Sequence, residues 1–315
     1  MKVIVQIPCL NEEQTLPLVM ATMPKKIPGV DVLEYLVIDD GSTDNTVKVA
    51  KKLGVHHIVQ HKRNMGLARS FRDGVDYALG LGADIVVNTD GDNQYPQEKI
   101  PELIQPIIDG KADIVVADRQ TAHIAHFSPL KKTLQRFGSF IVNKAAGTDL
   151  PDAASGFRAY SKAALLRLNI VTQFSYCMET IIQAGNKRIA ITSIPITTNP
   201  KTRESRLFKN MWQHVFKSMS AIVRAYIMYR PRVIFATVSI FFAVLGAVPF
   251  LRYLWLYSSH AHGGHLQSLI LGTVCLTISL LSAVVGVLAD LIHINRILHE
   301  ETLEQLKAAK YNREA

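Results

Sequence analysis

Residues 83–96 read Ala-Asp-Ile-Val-Val-Asn-Thr-Asp-Gly-Asp-Asn-Gln-Tyr-Pro, and the prediction of the fold begins with them. It opens with a short apolar run that contains β-branched residues, which predicts a buried strand. The apolar run stops at Asp90, and Asp92 follows two residues later, so an extended backbone puts both carboxylates on one side. Two carboxylates at one edge repel each other unless a cation lies between them. The stretch therefore indicates either a metal site at the end of a strand or a solvated turn.

The chemistry of these side chains favours a particular class of metal. Carboxylate oxygens suit Mg²⁺ or Mn²⁺, which usually keep water and substrate phosphates in their coordination shells. Gln94 adds a neutral oxygen two residues beyond Asp92. We therefore predict that Asp90, Asp92 and Gln94 hold Mg²⁺ or Mn²⁺ for a ligand that carries phosphate.

The residues around this stretch alternate between strand and helix patterns from residue 1 to about 120. Apolar runs predict strands at 2–7, 33–38, 58–59, 83–87 and 113–117. Helical periodicity falls between them, with an apolar face on the helix predicted at 64–81. Such alternation predicts an α/β fold with a Rossmann-like, mostly parallel sheet and helices on both faces. Residues 157–160 and 189–196 are expected to add edge strands.

Polar loops follow four of these strands, at 8–13, 39–42, 90–92 and 118–119. Parallel strands end at one edge of a sheet, so these loops are expected to form one binding cleft. The chain has no G-x-G-x-x-G at its first helix and no G-x-x-x-x-G-K-[ST]. A nicotinamide dinucleotide site is therefore disfavoured, and a P-loop is excluded.

Charge and cysteine content limit the classes of partner and the cellular compartment that we expect for the chain. The 315-residue chain has a formal net charge of +9, and the cations concentrate just before the longest apolar runs. That placement indicates an anionic membrane surface, and no nucleic acid is expected as a partner. The three cysteines have no paired spacing and imply no disulfide framework. The first strand begins without a preceding signal peptide, so we expect the front half in the cytoplasm.

Two basic helical segments are predicted near the membrane. Residues 130–146 have helical apolar spacing with interspersed cations, which fits either a surface helix or an interfacial helix that binds a lipid phosphate. Residues 204–229 form a basic amphipathic pattern containing Trp212. This second segment either lies on the cytoplasmic membrane face or packs on the domain core.

Two uncharged runs, 233–251 and 266–289, predict a transmembrane hairpin. The first run would span roughly 29 Å as a helix, close to the thickness of the hydrocarbon core. Cations crowd the start of the first run and follow the second, which places both ends in the cytoplasm. The loop between them carries three histidines, which are not expected to bind metal. Small residues weakly favour homo-oligomer contacts through the following positions: Gly246 with Ala247, or Gly272 with Gly286.

These patterns predict four segments. Residues 1–200 form a cytoplasmic catalytic domain, and 201–232 a basic amphipathic juxtamembrane helix. Residues 233–291 contain two transmembrane helices, at about 233–254 and 266–289. Residues 292–315 form a charged cytoplasmic C-terminal helix. The protein is therefore expected to be an integral protein of the cytoplasmic membrane.

An ordered set of motifs resembles the GT-A fold of the family 2 glycosyltransferases. The match narrows to the polyprenyl-phosphate glycosyltransferases, which include dolichyl-phosphate mannose synthase and undecaprenyl-phosphate sugar transferases. The resemblance covers about residues 1–230. The motifs that carry it are Pro8–Glu13, Asp39–Thr43, Asn64–Gly66, Asp90–Gln94 and Asp152–Arg158.

The resemblance implies an activity. It is the inverting transfer of one hexosyl or N-acetylhexosaminyl group from a nucleotide-diphosphate sugar to polyprenyl phosphate, with UDP favoured over GDP as the carrier. The product, a polyprenyl-phosphate monosaccharide, would serve cell-surface glycan synthesis or protein glycosylation.

The resemblance also implies roles for individual residues. Asp40 would accept a hydrogen bond from the base, and Arg119 would lie near a phosphate. Asp152 would act as a base or would position Arg158 and its loop, so the catalytic set is Asp92, Arg119 and Asp152. The nucleotide-sugar site would comprise Pro8, Asn11, Glu12, Asp40, Gly66, Arg69 and Asp90.

Two positions depart from the family pattern. Leu67 stands where the family often has Lys, with Arg69 as a possible substitute, and 203–206 lacks the Gly of the late G-x-S-[KR] motif. An acceptor phosphate has a second pKa of about 6, so it is already anionic near neutrality and a strong base is unnecessary. Cations must then hold two anions together. The lipid-phosphate candidates are Arg119, Lys132, Arg136, Arg203 and Arg206.

Three other functions fit parts of this pattern. A processive polysaccharide synthase shares the fold and metal motif, but the chain has no Q-x-x-R-W and two spans are few for a channel. A membrane-anchored transferase with a soluble acceptor remains open. A non-enzymatic membrane scaffold with this fold is the third alternative, and the intact acidic motif disfavours it.

Overall fold

A computed structural model describes residues 1–121, 129–171, 176–200, 231–259 and 266–312, together with residues 220, 227 and 229. The chain divides into two compact units. One unit, here called the sheet unit, comprises residues 1–222 and 302–315. The other, the hairpin unit, comprises residues 223–301.

The sheet unit contains a seven-stranded sheet of order β3-β2-β1-β4-β6-β5-β7. Strands β1 with β2, β1 with β4, β2 with β3, and β5 with β7 pair in parallel, and β6 is antiparallel to both of its neighbours. The predicted α/β fold with a mostly parallel sheet is confirmed. The strands are β1 (Lys2–Cys9), β2 (Val32–Asp39), β3 (His57–Gln60), β4 (Ile85–Asn88), β5 (Ile114–Asp118), β6 (Arg158–Ser161) and β7 (Ile191–Pro195).

The central parallel strands form because their sequences are apolar on both faces. Residues Val3–Cys9 of β1 and all of β4 are buried, as strands covered by helices on two sides must be. Helices lie between the strands in the chain. They are α1 (Leu16–Ala21), α2 (Thr46–Lys52), α3 (Leu67–Gly80), α4 (Ile100–Ile108), α5 (Pro129–Ala146), α6 (Lys162–Arg167) and α7 (Tyr176–Asn186).

The prediction that residues 157–160 form an edge strand is wrong. Strand β6 lies between β4 and β5 in the interior of the sheet. It can do so because Arg158, which is fully buried, donates hydrogen bonds to the carbonyls of Ser155, Ala153 and Cys177. A buried guanidinium with its donors satisfied is tolerated where an unpaired one is not. The other predicted edge strand corresponds to β7, which does lie at an edge of this sheet.

Strand register brings the polar loops to one rim. Cys9 at the end of β1 pairs with Asp39 at the end of β2, and Gln6 pairs with Asn88 at the end of β4. Strand β5 runs parallel to β4, because both are antiparallel to β6. The loops after β1, β2, β4 and β5 therefore leave the sheet on the same side, as the sequence predicts.

The hairpin unit contains helix α8 (Pro231–Ser258) and most of helix α9 (Leu266–Asn312). Both are long and apolar enough to cross a membrane, with mean hydropathy of 2.4 and 2.3 in their most apolar windows. Only 6% and 17% of these windows is buried, which differs from the core helix of a water-soluble protein. Residues 302–312 of α9 belong to the sheet unit.

Small residues join α8 to α9 within one chain. A Cβ on Gly246 would lie 2.9 Å from the carbonyl oxygen of Gly272, and a Cβ on Gly286 would lie 2.9 Å from Cβ of Phe235. The glycines predicted to mediate oligomer contacts are therefore occupied by the neighbouring helix, since close backbone approach requires them there. The contact predicted for Ala247 and the predicted homo-oligomer stay predictions. Residues 201–219, 221–226, 228 and 230 of the predicted basic amphipathic segment fall outside the described residues, as do the histidines of the 260–265 loop.

Candidate active site

The loops after β1 and β2 are bound together. Asn11 accepts a hydrogen bond from the Thr43 amide at 2.7 Å and donates its own amide to Ser42 Oγ at 2.8 Å. The Glu12 amide donates to Thr46 Oγ1 at 2.8 Å. These contacts explain why polar residues follow both strands, and they fix Asn11 and Glu12 at the rim, although Glu12 is almost fully buried.

Backbone strain concentrates at the same rim. Among the described residues, four non-glycine residues have positive φ, and three of them follow β1, β4 and β5: Asn11 at 57°, Asn93 at 60° and Gln120 at 49°. Non-glycine residues in this region are uncommon and cluster at functional sites. The strain therefore marks the rim as the candidate site independently of its side-chain chemistry.

The acidic loop presents two carboxylates. Asp90 and Asp92 are partly exposed. Gln94 donates its backbone amide and its side-chain amide to Asp92, at 3.1 and 2.8 Å. The predicted oxygen ligand Gln94 thus orients Asp92 through its nitrogen. Among the described residues no group of three or more His, Cys, Asp and Glu side chains could hold a metal, and one or two carboxylates completed by substrate phosphates is the usual Mg²⁺ arrangement.

Two glycines leave room around this loop. A Cβ on Gly91 would lie 2.9 Å from Cys9 Sγ and 3.2 Å from Glu12 Cγ, so the loop packs directly on the end of β1. A Cβ on Gly156 would lie 3.3 Å from Asp90 Oδ2. The space beside Asp90 exists because residue 156 has no side chain, and this cradle fits a cation held by carboxylate oxygen.

A buried hydrogen-bond network holds Gly156, the residue beside Asp90. Asn88 donates to the Gly156 carbonyl at 2.9 Å and to Tyr176 Oη at 2.6 Å, and it accepts from Gln6 at 3.0 Å. The Gly156 amide donates to Tyr95 Oη at 2.9 Å. Burial raises the pKa of Tyr95, so its hydroxyl stays protonated. None of these supporting residues was predicted, although Tyr95 belongs to the opening motif.

Arg119 and Asp152 form a two-pronged ion pair. Arg119 Nε and Nη2 lie 2.6 and 2.9 Å from the two carboxylate oxygens of Asp152, whose side chain is fully buried. The amide of Ala154 and the side chain of Gln135 add hydrogen bonds at 3.2 and 3.4 Å. Burial opposes ionisation of Asp152, but the charge and hydrogen bonds of Arg119 outweigh it and lower the pKa.

This pairing favours a positioning role over a base for Asp152, the two roles that were predicted. A general base must reach the proton that it removes, whereas both oxygens of Asp152 are held by protein donors and the side chain has no exposed surface. Asp152 therefore orients Arg119, whose side chain is 17% exposed. The further expectation that Asp152 positions Arg158 has no direct contact to support it: Arg158 holds the same loop through its carbonyls.

Helix α5 passes over this pair. Its residue Gln135 contacts Asp152, and Ser139 accepts from the Ala153 amide at 3.1 Å. Lys132 is partly exposed and Arg136 is exposed, and the two lie one turn apart beside Gln135. Three lipid-phosphate candidates, Arg119, Lys132 and Arg136, are thus on or next to one loop. Arg203 and Arg206 lie outside the described residues.

The adjacent carboxylates Asp39 and Asp40 differ in their surroundings. Asp40 accepts from the amides of Met65 and Gly66, at 2.8 and 2.9 Å, and its Oδ1 lies 2.8 Å from His61 Nδ1. Asp39 accepts from the Ser42 amide at 3.2 Å through Oδ1, while its buried Oδ2 has no hydrogen-bond partner. A buried carboxylate oxygen without a partner is costly. Asp39 was not predicted, and its fully buried side chain belongs to the interior of the sheet, whereas Asp40 is held at the rim by the turn before α3.

The remaining predicted residues take the following places. Pro8 lies in β1 opposite Ile38 of β2. Gly66, at φ 91°, precedes the first residue of α3. Arg69 on that helix pairs with Asp73 at 2.7 Å. Asn199, after β7, donates to the carbonyls of Asn93 and Tyr95 and was missed because it carries no motif.

Sequence comparison with known proteins identifies a family model and relatives that match this chain. The model of the family described as "Glycosyl transferase family 2" matches residues 4–168. A UDP-N-acetylglucosamine–dolichyl-phosphate N-acetylglucosaminyltransferase of Methanococcus voltae is 30% identical over 213 residues, which cover 61% of this chain and 83% of that protein. A polyprenol monophosphomannose synthase of Mycolicibacterium smegmatis is 26% identical over 211 residues, covering 62% of this chain and 77% of its own.

Solved structures support the fold. Glucosyl-3-phosphoglycerate synthase from Mycobacterium tuberculosis, in complex with Mn²⁺, UDP and phosphoglyceric acid, superposes with a TM-score of 0.56. The match covers 70% of this chain and 78% of that chain at 20% identity. At this identity the likeness supports the architecture of the sheet unit alone.

Proposed function

Because the chain belongs to glycosyl transferase family 2, we propose that it transfers a single sugar from a nucleotide-diphosphate sugar to polyprenyl phosphate. The observation that carries the proposal is the rim on which Asp90 and Asp92 share one edge of the sheet with Arg119. Its relatives from M. voltae and M. smegmatis are named for dolichyl and polyprenol phosphate chemistry. The product would be a polyprenyl-phosphate monosaccharide.

The donor nucleotide would occupy the loops after β1 and β2. Asp40, which the amides of Met65 and Gly66 hold at the rim, would accept a hydrogen bond from a base N–H. We favour UDP over GDP because the M. voltae relative is named for a UDP sugar and a structural neighbour binds UDP. Asn11 and Glu12 would form the wall of this pocket, and Arg69 would lie on the side of the diphosphate.

Asp90 and Asp92 would hold Mg²⁺ or Mn²⁺ against the donor diphosphate. When bound, the cation offsets the charge that develops on the leaving group. Gln94 would keep Asp92 in place through the hydrogen bonds that it already donates. Gly156 would keep the space beside Asp90 open.

The acceptor would react without a general base from the protein. A phosphate with a second pKa of about 6 is largely ionised near neutrality, and Asp152 is sealed by Arg119. An oxygen of the acceptor phosphate would bond to the anomeric carbon as the bond from that carbon to the diphosphate oxygen breaks. Direct displacement of this kind inverts the anomeric carbon. Arg119, Lys132 and Arg136, with Arg203 and Arg206, would hold the two anions at reacting distance.

Helices α8 and α9 would anchor the enzyme in the cytoplasmic membrane. Their exposed apolar surfaces suit lipid, and by the distribution of Lys and Arg both termini and residues 1–200 would lie in the cytoplasm. The segments 201–232, 233–291 and 292–315 would be the juxtamembrane helix, the hairpin and the cytoplasmic tail. A membrane anchor of this kind gives the site access to an acceptor that resides in the bilayer.

The test is transfer by the full-length protein in detergent. Undecaprenyl and dolichyl phosphates would each be incubated with a panel of radiolabelled UDP and GDP sugars, in Mg²⁺, Mn²⁺ or EDTA. We expect one labelled monosaccharide per lipid phosphate and no product in EDTA. Label in a long polymer would support a polysaccharide synthase, and label only in a soluble acceptor would support an anchored transferase of that kind. No transfer from any donor would contradict the proposal.

A further inference from the structure

His61 follows strand β3 and lies between two carboxylates. Its side chain is 10% exposed, and Nδ1 lies 2.8 Å from Asp40 Oδ1 in a hydrogen bond. Nε2 lies 3.2 Å from Asp73 Oδ2, within ion-pair distance but without a hydrogen bond. The backbone amide of His61 also donates to the Asp39 carbonyl at 2.9 Å. One residue therefore joins the end of β2 to helix α3 through both its main chain and its side chain.

Asp40 passes this restraint to the turn that begins α3. Its carboxylate accepts from the amides of Met65 and Gly66. The same turn packs against Gly41, where a Cβ would lie 2.5 Å from the Arg63 carbonyl carbon. Gly41 itself has φ +78°, a left-handed backbone conformation that is strained in residues with a side chain. Residues 39–42 and 61–66 thus form one closely packed wall beside the unpartnered oxygen of Asp39.

The ring holds its two neighbours differently. Asp40 Oδ1 is hydrogen-bonded to Nδ1, whereas Asp73 Oδ2 lies near Nε2 at ion-pair distance only. Asp73 is also paired with Arg69 at 2.7 Å, and Arg72 Nε lies 3.9 Å from its other oxygen. His61 is therefore the link between this charged cluster on α3 and the end of β2.

We propose that His61 is a positioning residue for the donor nucleotide. By fixing Asp40 and the backbone of Asp39, it keeps Asp40 and the 61–66 turn in place for the nucleotide. This inference rests on the proposed function. It assigns a nucleotide-specific role to a residue that would touch neither the sugar nor the acceptor.

The expected signature is a change in donor binding with the chemistry preserved. In His61→Gln, one amide can serve only one carboxylate, so the wall loosens while Asp90, Asp92 and Arg119 remain in place. We expect the donor KM and the Kd for UDP with Mn²⁺ to rise about tenfold, which is the effect of losing one charge-assisted hydrogen bond. The kcat and the KM for polyprenyl phosphate should change less than about threefold.

His57→Gln is the matched control. His57 lies on the same strand, and its Nε2 is 2.9 Å from Glu34 Oε2, so it too is a histidine paired with a carboxylate. It stands at the other end of β3, away from the rim. Its donor KM should equal that of the wild type, with any effect confined to the melting temperature.

Titration with nucleotide distinguishes failure of this inference from failure of the proposed function. The full-length protein in detergent would be titrated with UDP and with GDP in Mn²⁺. Wild-type protein that binds neither nucleotide would overturn the proposed function and this inference together. Wild-type binding with an equal Kd for His61→Gln would overturn the inference alone, as would equal losses in kcat and in both KM values. If His61→Gln does not fold, Asp73→Asn removes the far partner and should raise the same Kd.

Discussion

The Arg119–Asp152 pair makes the sharpest prediction, through the substitution Asp152→Asn. Asparagine keeps the size of the side chain but loses the charge and turns one oxygen into a donor. Arg119 donates to both oxygens, at 2.6 and 2.9 Å, so the new amide nitrogen must face a guanidinium nitrogen. Arg119 would be left mostly buried without a counter-charge.

The size of the effect follows from burial. Removing one partner of a buried ion pair costs about 3–5 kcal/mol. Asp152 has no exposed surface but Arg119 is 17% exposed, so water can reach the arginine and the lower end, about 3 kcal/mol, is expected. That is about two decades in the folding equilibrium. For a unit of this size it corresponds to a fall in Tm of roughly 6–12 °C.

The assay is thermal unfolding of the full-length protein in detergent, followed in parallel with lipid-linked product formation. Asp149→Asn, an exposed aspartate just before this loop, is the control and should melt as the wild type does. A cycle that includes Arg119→Met isolates the interaction of the pair. If Asp152→Asn melts like the wild type, the pair with Arg119 contributes no stability and the reasoning from its burial is refuted, whatever happens to transfer.

Three further predictions concern the sheet unit. Gly156→Ala should weaken Mn²⁺-dependent nucleotide binding and lower the free energy of unfolding by about 1–3 kcal/mol, because its Cβ would lie 3.3 Å from Asp90 Oδ2. The control Gly138→Ala meets open space on α5 and should keep the wild-type nucleotide binding and stability. Lys307→Met should lower Tm, measured against the exposed control Leu306→Ala, because Lys307 Nζ donates to two oxygens of the sheet unit at 2.8 and 2.9 Å. The lowered pKa of Asp152 adds stability that is present above the usual carboxyl range and is lost as pH falls through the folded-state value; the Tm difference between wild type and Asp152→Asn should therefore narrow below about pH 4.

The parallel strands could be predicted because each is an apolar run that ends in a polar loop. The observed limits of β1, β2, β4 and β5 lie within two residues of the predicted ones. Strand β6 could not be placed in the same way. Its arginine is acceptable in the middle of the sheet only because carbonyls from other segments surround it, and such contacts have no local signature in the sequence.

The candidate site shows the same division. The acidic motif and the rim loops carry their chemistry in residue types, so the sequence locates them. Asp39 and Asp40 are neighbours of one type, and alternation along a strand sends their side chains to opposite faces. Only the structure shows that protein donors hold Asp40 while Asp39 Oδ2 has none. The contact of Asp152 with Arg119 was not predicted for a similar reason: the two residues lie 33 positions apart in the chain.

The hairpin illustrates a further limit of sequence patterns. Small residues in a membrane helix predict close packing but do not identify the partner. Here Gly246 approaches Gly272 of the same chain, and Ser239 and Ser279 lie 3.2 Å apart across the two helices. Within the chain these glycines pack against the other helix of the hairpin unit, and the predicted homo-oligomer stays a prediction.

The most direct test of the central claim is the binding of UDP and GDP to wild-type protein and to Asp92→Asn, each titrated in Mn²⁺ and in EDTA. If Asp90 and Asp92 hold the cation against the donor diphosphate, the wild type should bind its nucleotide at least about tenfold more tightly in Mn²⁺ than in EDTA. Asp92→Asn should lose that difference while it keeps its Tm. Equal wild-type affinity in Mn²⁺ and EDTA, or unchanged Mn²⁺ dependence in Asp92→Asn, would contradict the account.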